Sequence, residues 1–180
     1  MPGEVPFADL AQVNPRRGLK RGGQYPYVEM AAVPEGGGTP THHEEREFEG
    51  GGSKFAVGDT LFARITPCTE NGKIAYVDSL PGDSVGFGST ELIVLAARPD
   101  RADPRFVYQV SAWARVRRQA VARMLGTSGR QRVPTWFFTE ELRIPAFSLP
   151  EQRRIAAVLD AIDEAIERSE GVVAATEGLR

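Results

Sequence analysis

At 180 residues, with 41% hydrophobic and 26% charged residues, the chain suits one ordinary soluble domain plus an extension. It has no apolar run long enough for a membrane span, no signal-peptide pattern in MPGEVPFADL, and a lone Cys68 that excludes an internal disulfide. The expected compartment is the cytoplasm, without membrane attachment. A net charge of -2 argues mildly against a polyanion partner, but the distribution is uneven. Residues 105–134 hold seven arginines and no acid, so that window carries +7 and the remainder -9. Binding follows the local field, so one face can hold a polyanion that the rest repels.

Residues 1–24 read as an apolar lead, PFADLAQV, a turn at Asn14-Pro15, and a basic glycine-rich segment, RRGLKRGG. YPYVEM (25–30) has the aromatic and β-branched character of a strand. Residues 34–53 are too rich in glycine and charge to pack and predict a mobile loop. Strands follow over 60–66, 73–77 and 91–97, after a turn at Gly58-Asp59. The last of these, ELIVLAA, is almost continuously apolar and is expected to be central. Asp103-Pro104 pairs a capping acid with proline at the first helical position, predicting one helix to about Met124. Phe106, Val110, Trp113 and Val121 are among its apolar positions. LRIPAF (142–147) predicts a further short strand, and the whole an α+β fold: a mixed-sheet domain followed by a long helix of coiled-coil type.

That helix has the clearest local signal. Ser148 and Glu151 form an S-x-x-E capping box. Ile155, Leu159, Ile162, Ile166, Ser169 and Val173 then alternate spacings of four and three, the rhythm of a helix packed on another helix. An amphipathic helix folded back on its own domain is the competing reading. Persistence of the stripe between charged flanks favours a projecting pairing helix, giving two units, 1–147 and 148–180.

The stretch MLGTSGRQRVP (124–134) joins two glycines, two hydroxyls and Arg130-Gln131-Arg132. Gly126 and Gly129 let the main chain approach a partner closely. Thr127, Ser128 and the amide of Gly129 can donate to phosphates, Arg130 and Arg132 add forked charge, and Gln131 can read a base edge. A solvated basic turn has the same composition, and the residues alone leave both readings open.

Enzymatic readings fail on context. GFGSTE (86–91) lacks the third glycine of a dinucleotide loop and leads into a strand. Adjacent ligands in His42-His43-Glu44-Glu45 rarely converge on one ion, so no metal is expected. Cys68 reads as a small buried residue, not a nucleophile. Asn14-Pro15 resembles the start of an adenine methylase tetrad, but Arg16-Arg17 lacks its aromatic. No catalytic residue and no cofactor are expected.

GDTLFARITPCTENGKIAYV, GFGSTELIVL, GTSGRQRVP and SLPEQRRIAAVLDAIDEAI together resemble the specificity subunit of type I restriction–modification systems, over residues 7–180. The matching part is a target recognition domain and the helix that follows it. The resemblance implies recognition of double-stranded DNA without chemistry. In that family two recognition domains, joined by two long antiparallel helices, each read half of a split target. Methylation subunits pack on the helices and supply an adenine methylase, and restriction subunits supply motor and nuclease. This sequence has one domain and one helix, as expected of a half-size subunit that forms a homodimer through the helix, or of a fragment. By the same resemblance, 126–132 is the loop at the DNA face, preceded by Arg123. Arg64, Thr66, Thr69, Asn71 and Lys73 match the ITPC-x-ENGK segment, with Arg64, Asn71 and Lys73 as further DNA contacts. That segment is equally readable as a structural bend, and Ser89-Thr90 as a structural turn. A recognition domain of a single-chain restriction–methylase and a dimeric adaptor without DNA binding are the other readings. An accompanying methylase separates the first, and a DNA-binding assay the second.

Overall fold

The longest apolar run explains the centre of the fold. In the computed structural model, which describes residues 3–83 and 85–177 (side chains at 83, 167 and 170–177 excepted), it forms a strand buried on both faces. This strand, β9 (Leu92–Ala97), lies between β2 (Ala11–Val13) and β6 (Thr60–Ala63), with β7 (Ile74–Tyr76) at the edge, all antiparallel. Because strand side chains alternate, Ile93 and Leu95 join Phe62 and Ile74 in one apolar cluster. Leu92 and Val94 join Leu61, Ala63 and Ala75 in the other. Burial of each such β9 side chain contributes about 1.5–3 kcal/mol before entropy is counted. A solvent-facing strand would alternate with polar residues; this one has none to spare.

The second cluster is closed by another four-stranded sheet. Its order is β4 (Glu44–Glu47), β3 (Gln24–Val28), β8 (Gly86–Gly88) and β5 (Ser53–Phe55), with β3 and β8 parallel. Val28 and Phe55 reach inward from it. The predicted mobile loop at 34–53 is therefore corrected: it contains β4, begins β5, and buries Phe48. Sequence pattern misses this because β4, EERE, is an exposed edge strand whose charges block pairing with another chain. Arg46 pairs with Glu44 and stacks 3.7 Å from the Tyr27 ring centroid.

Helices cover the first cluster. Asp103 caps α1 (Pro104–Ala112) by accepting from the Phe106 N–H at 3.2 Å, as predicted. The single helix expected to Met124 is instead broken at Trp113 (ψ 128°), and α2 (Ala114–Val121) follows. The buried positions explain the break. Val107 and Ser111 are four apart, as are Val116 and Ala120, but Ser111 to Val116 is a step of five. A continuous helix would rotate the second pair away from the core by about 100°. Breaking at Trp113, itself 44% exposed, restores the phase.

The segment predicted as a strand at 142–147 forms β10 (Arg143–Pro145), paired with β1 (Glu4–Pro6) near the N-terminus and not with either large sheet. A π-helical turn, Phe137–Glu141, buries Phe137 and Phe138 beneath this ribbon. Next comes α3 (Leu149–Glu177). The glutamate arm of the capping box forms: Glu151 accepts from the Ser148 N–H at 2.8 Å and also from its hydroxyl at 2.6 Å. These bonds hold the Glu151 carboxyl below its ordinary value. Among the described residues no helix is long and apolar enough to cross a membrane.

Candidate nucleic-acid interface

The glycine–hydroxyl–arginine stretch forms a short hairpin. Leu125 and Arg132 exchange both backbone hydrogen bonds, at 2.8 and 3.0 Å, and the Arg130 N–H closes the tip on the Thr127 carbonyl at 3.0 Å. Gly126 (φ 124°) is required here, since a Cβ would lie 2.9 Å from the Arg130 carbonyl oxygen. Gly129 (φ 76°) completes the turn in the left-handed region. Thr127, Ser128, Gly129 and Arg130 are all exposed at the tip, while Gln131 and Arg132 are half-buried in the stem.

The stem is clamped to two other motifs. The Thr66 N–H donates to the Gln131 carbonyl at 3.0 Å, and the Val133 N–H to the Arg64 carbonyl at 2.7 Å. Glu91 accepts from Arg132 Nε on both oxygens, at 2.9 and 3.0 Å, and from Nη2 at 2.6 Å. Those bonds, and then the carboxylate charge, raise the Arg132 pKa above its already high value. Glu91 is aligned in turn: the Arg64 N–H donates to its carbonyl, and its own N–H donates to Ser89 Oγ at 3.1 Å. The Ser89-Thr90 turn expected from sequence thus has a structural task. Segments 64–66, 89–91 and 124–133 form one unit.

The other candidates divide. Lys73 Nζ donates to the Met30 and Val33 carbonyls at 3.2 and 3.1 Å, so its ammonium holds the chain leading into residues 34–36. Asn71 Nδ2 donates to Glu35 at 2.9 Å. Thr69 is buried with its hydroxyl on the Ala63 carbonyl. The bend therefore carries internal bonds at the positions named as DNA contacts. Arg64 differs: it is half-buried, and its Nε has no hydrogen-bond partner among the described residues. Arg123 Nε is bound to Glu141 at 2.9 Å, and that bond and charge raise its pKa. Cys68 is half-buried, not fully buried as expected.

The +7 window is reduced by acids from outside it. Arg105 pairs with Asp160, Arg115 with Glu4, Arg123 with Glu141 and Arg132 with Glu91. Arg117, Arg118 and Arg130 have no carboxylate partner among the described residues. Sequence reasoning missed Glu91, whose only local signal was its place after a hydroxyl turn.

The α3 stripe is also divided. Its first turns dock on the domain: Gln152 is buried, accepts from the Asp103 N–H at 3.0 Å, and donates to the Arg101 and Phe147 carbonyls at 3.2 and 3.0 Å. Gln109 Nε2 donates to Asp160 and Asp163 at 2.8 and 2.9 Å. Ile155, named for the pairing face, is half-buried and packs against the first core cluster. Leu159, Ile162 and Ile166 are 36%, 48% and 50% exposed, with Val158 beside them at 61%. The Val173 side chain lies outside the described residues.

Known proteins are similar to this chain in sequence and in fold. Two Escherichia coli proteins match: the type I restriction enzyme EcoAI specificity subunit, 34% identical over 110 residues, and the EcoEI specificity subunit, 33% over 116. The matches cover 61% and 64% of this chain. The chain is similar to part of a type I restriction enzyme specificity subunit. It spans only 18% and 19% of the length of these curated relatives. No family model matches it. The fold is that of the HsdS subunit from Thermoanaerobacter tengcongensis, with a TM-score of 0.72 at 21% identity, covering 93% of this chain and 43% of that one. A type I restriction–modification chain, solved in work on complex assembly and conformational transition, gives 0.72 at 22%, covering 94% and 44%. The S subunit from M. genitalium gives 0.53 at 20%, covering 92% and 40%.

The histidine cluster also changes partners. His42 and Glu44 meet Glu29, their ligand atoms within 4.8 Å of one another. His42 Nε2 lies 3.4 Å from Glu29, and Arg46 already occupies Glu44 at 2.9 Å. His43 and Glu45 are outside the group, and Glu45 follows Glu44 on the opposite face of β4.

Proposed function

We propose that this chain is the DNA-recognition part of a type I specificity subunit, reading half of a split target without chemistry or cofactor of its own. Residues 1–147 are the recognition domain. The helix over 148–180 pairs with a second helix and docks the methylation subunit, which with the restriction subunit completes a cytoplasmic complex. The observation that carries this reading is the hairpin tip. Exposed Thr127, Ser128, Gly129 and Arg130 are presented on a stem tied to 64–66 and Glu91, so donors are preorganised while the tip stays open to a groove. Preorganisation limits the ordering cost of binding. Arg64, with an unpartnered Nε behind the stem, supports a further contact. Phosphate bonds from the tip position the domain, and Arg130 and Gln131 read base edges.

The apolar positions Leu159, Ile162 and Ile166 support helix pairing, since such a stripe is costly to leave in water. The test is reconstitution of the chain with a methylation subunit on a DNA library. Methylation confined to one bipartite sequence is expected. Methylation independent of this chain overturns the assignment, as does methyl transfer from S-adenosylmethionine by this chain alone.

A further inference from the structure

The basic segment that follows Asn14 has no part in the hairpin unit. We infer that Arg16 and Lys54 form a second wall of the interface, binding the phosphodiester backbone of DNA and continuous through Thr90 with the Glu91–Arg132 clamp. This rests on the DNA-recognition reading. The two cations flank an open groove of about 460 Å³ whose lining includes Asn14, Ser53 and Thr90. Thr90 is exposed on that groove, and the next residue, Glu91, grips Arg132.

Two anchors keep Arg16 in place. Asn14 (φ 48°) donates its N–H to the Val94 carbonyl at 2.7 Å and accepts from the Val94 N–H on Oδ1 at 2.9 Å, tying the segment to β9. Arg17 donates to Asp59 Oδ1 at 2.9 Å and to the Lys54 carbonyl at 3.2 Å. Asp59 is buried and also accepts from the Ala56 N–H at 2.8 Å. The Arg17 charge is thus cancelled internally, and it serves as a pillar joining the segment to β5. Arg16 lies between the anchors, exposed. Neither it nor Lys54 has a carboxylate partner among the described residues. The Lys54 ammonium rests 5.2 Å from the Phe48 ring centroid, which steadies its stem.

Lys20 and Arg21 are the other cations of the segment. Their end approaches an acid: Glu47 Oε1 lies 3.9 Å from the Cβ position of Gly22, so repulsion disfavours phosphate there. The ligand is a backbone, not a small anion. The groove is open, its donors are on the surface, and it extends toward a hairpin that already presents phosphate donors. Two cations along one groove suit a repeating charge.

The experiment titrates the chain with a fluorescent random-sequence duplex across about 50–200 mM salt. In the Arg16→Ala/Lys54→Ala variant the log–log salt slope should become shallower by about 1.8, at about 0.9 for each lost phosphate. The affinity loss should be the same on every duplex. Arg16→Ala alone, at an exposed unpartnered position, should give about half that change and serves if the double variant unfolds. An unchanged slope in either folded variant, while Arg130→Ala still weakens binding, overturns the second wall and leaves the recognition reading standing. Absence of binding by the wild-type chain overturns both.

Discussion

Glu91 holds Arg132 through both carboxylate oxygens, across 41 positions of sequence, with Nη2 at 2.6 Å. The two arginines of the hairpin therefore have different surroundings. Arg130 is exposed at the tip without an acid partner among the described residues, whereas the fork of Arg132 is occupied. Arg130→Ala should lower DNA affinity about 5- to 150-fold, the range of one bidentate arginine contact, with an unchanged melting temperature. Glu91→Gln should also lower affinity, although it makes the face more positive, because the stem loses its clamp. Anisotropy titrations with matched thermal melts check both. Tighter binding by Glu91→Gln would mean that net charge, not stem geometry, controls the interface.

Gln152 makes three hydrogen bonds that tie α3 to the domain while it is 1% exposed. Gln152→Leu removes the partner of the Asp103 N–H and of two carbonyls at a buried position. The expected cost is about 1–3 kcal/mol in urea unfolding, per unsatisfied buried group as an upper scale. A variant as stable as wild type would mean that water replaces the side chain.

The two halves of the α3 stripe should respond differently. Ile162 is half exposed, so Ile162→Asp should abolish helix pairing and lower the melting temperature only by what pairing contributes, leaving the domain folded. Ile155 packs on the core, so Ile155→Asp should lower the melting temperature whatever the oligomeric state. Sedimentation should give a dimer for wild type at tens of micromolar and a monomer for Ile162→Asp. A wild-type monomer, without a methylation subunit, would count against self-pairing.

The capping box predicts a pH dependence. Bonds from Ser148 hold the Glu151 carboxyl below the ordinary 4.5 in the folded chain. A depressed carboxyl stabilises fully above its unfolded value, and that contribution is lost as pH falls through the folded one. The melting difference between wild type and Ser148→Ala should thus be complete near neutral pH and shrink below about 4.5. A difference that stays constant into acid would assign the effect to the hydroxyl alone.

Local chemistry made several elements legible. Asp103-Pro104 and Ser148–Glu151 announce helix starts because their partners lie within three residues. ELIVLAA announces a central strand because two buried faces demand apolar residues at both parities. The glycines at 126 and 129 announce a tight turn, and the resemblance of four motifs implies a recognition domain. Tertiary structure alone decided what the charged side chains do. Lys73 serves two carbonyls, four arginines of the basic window meet acids from distant segments, and Glu91 occupies the fork of Arg132. It also broke the predicted helix at Trp113 and made strands of residues 44–47 and 53–55. The physical reason is range. Caps, turns and alternation are set by neighbours a few residues away, whereas a long side chain takes whichever partner the topology delivers.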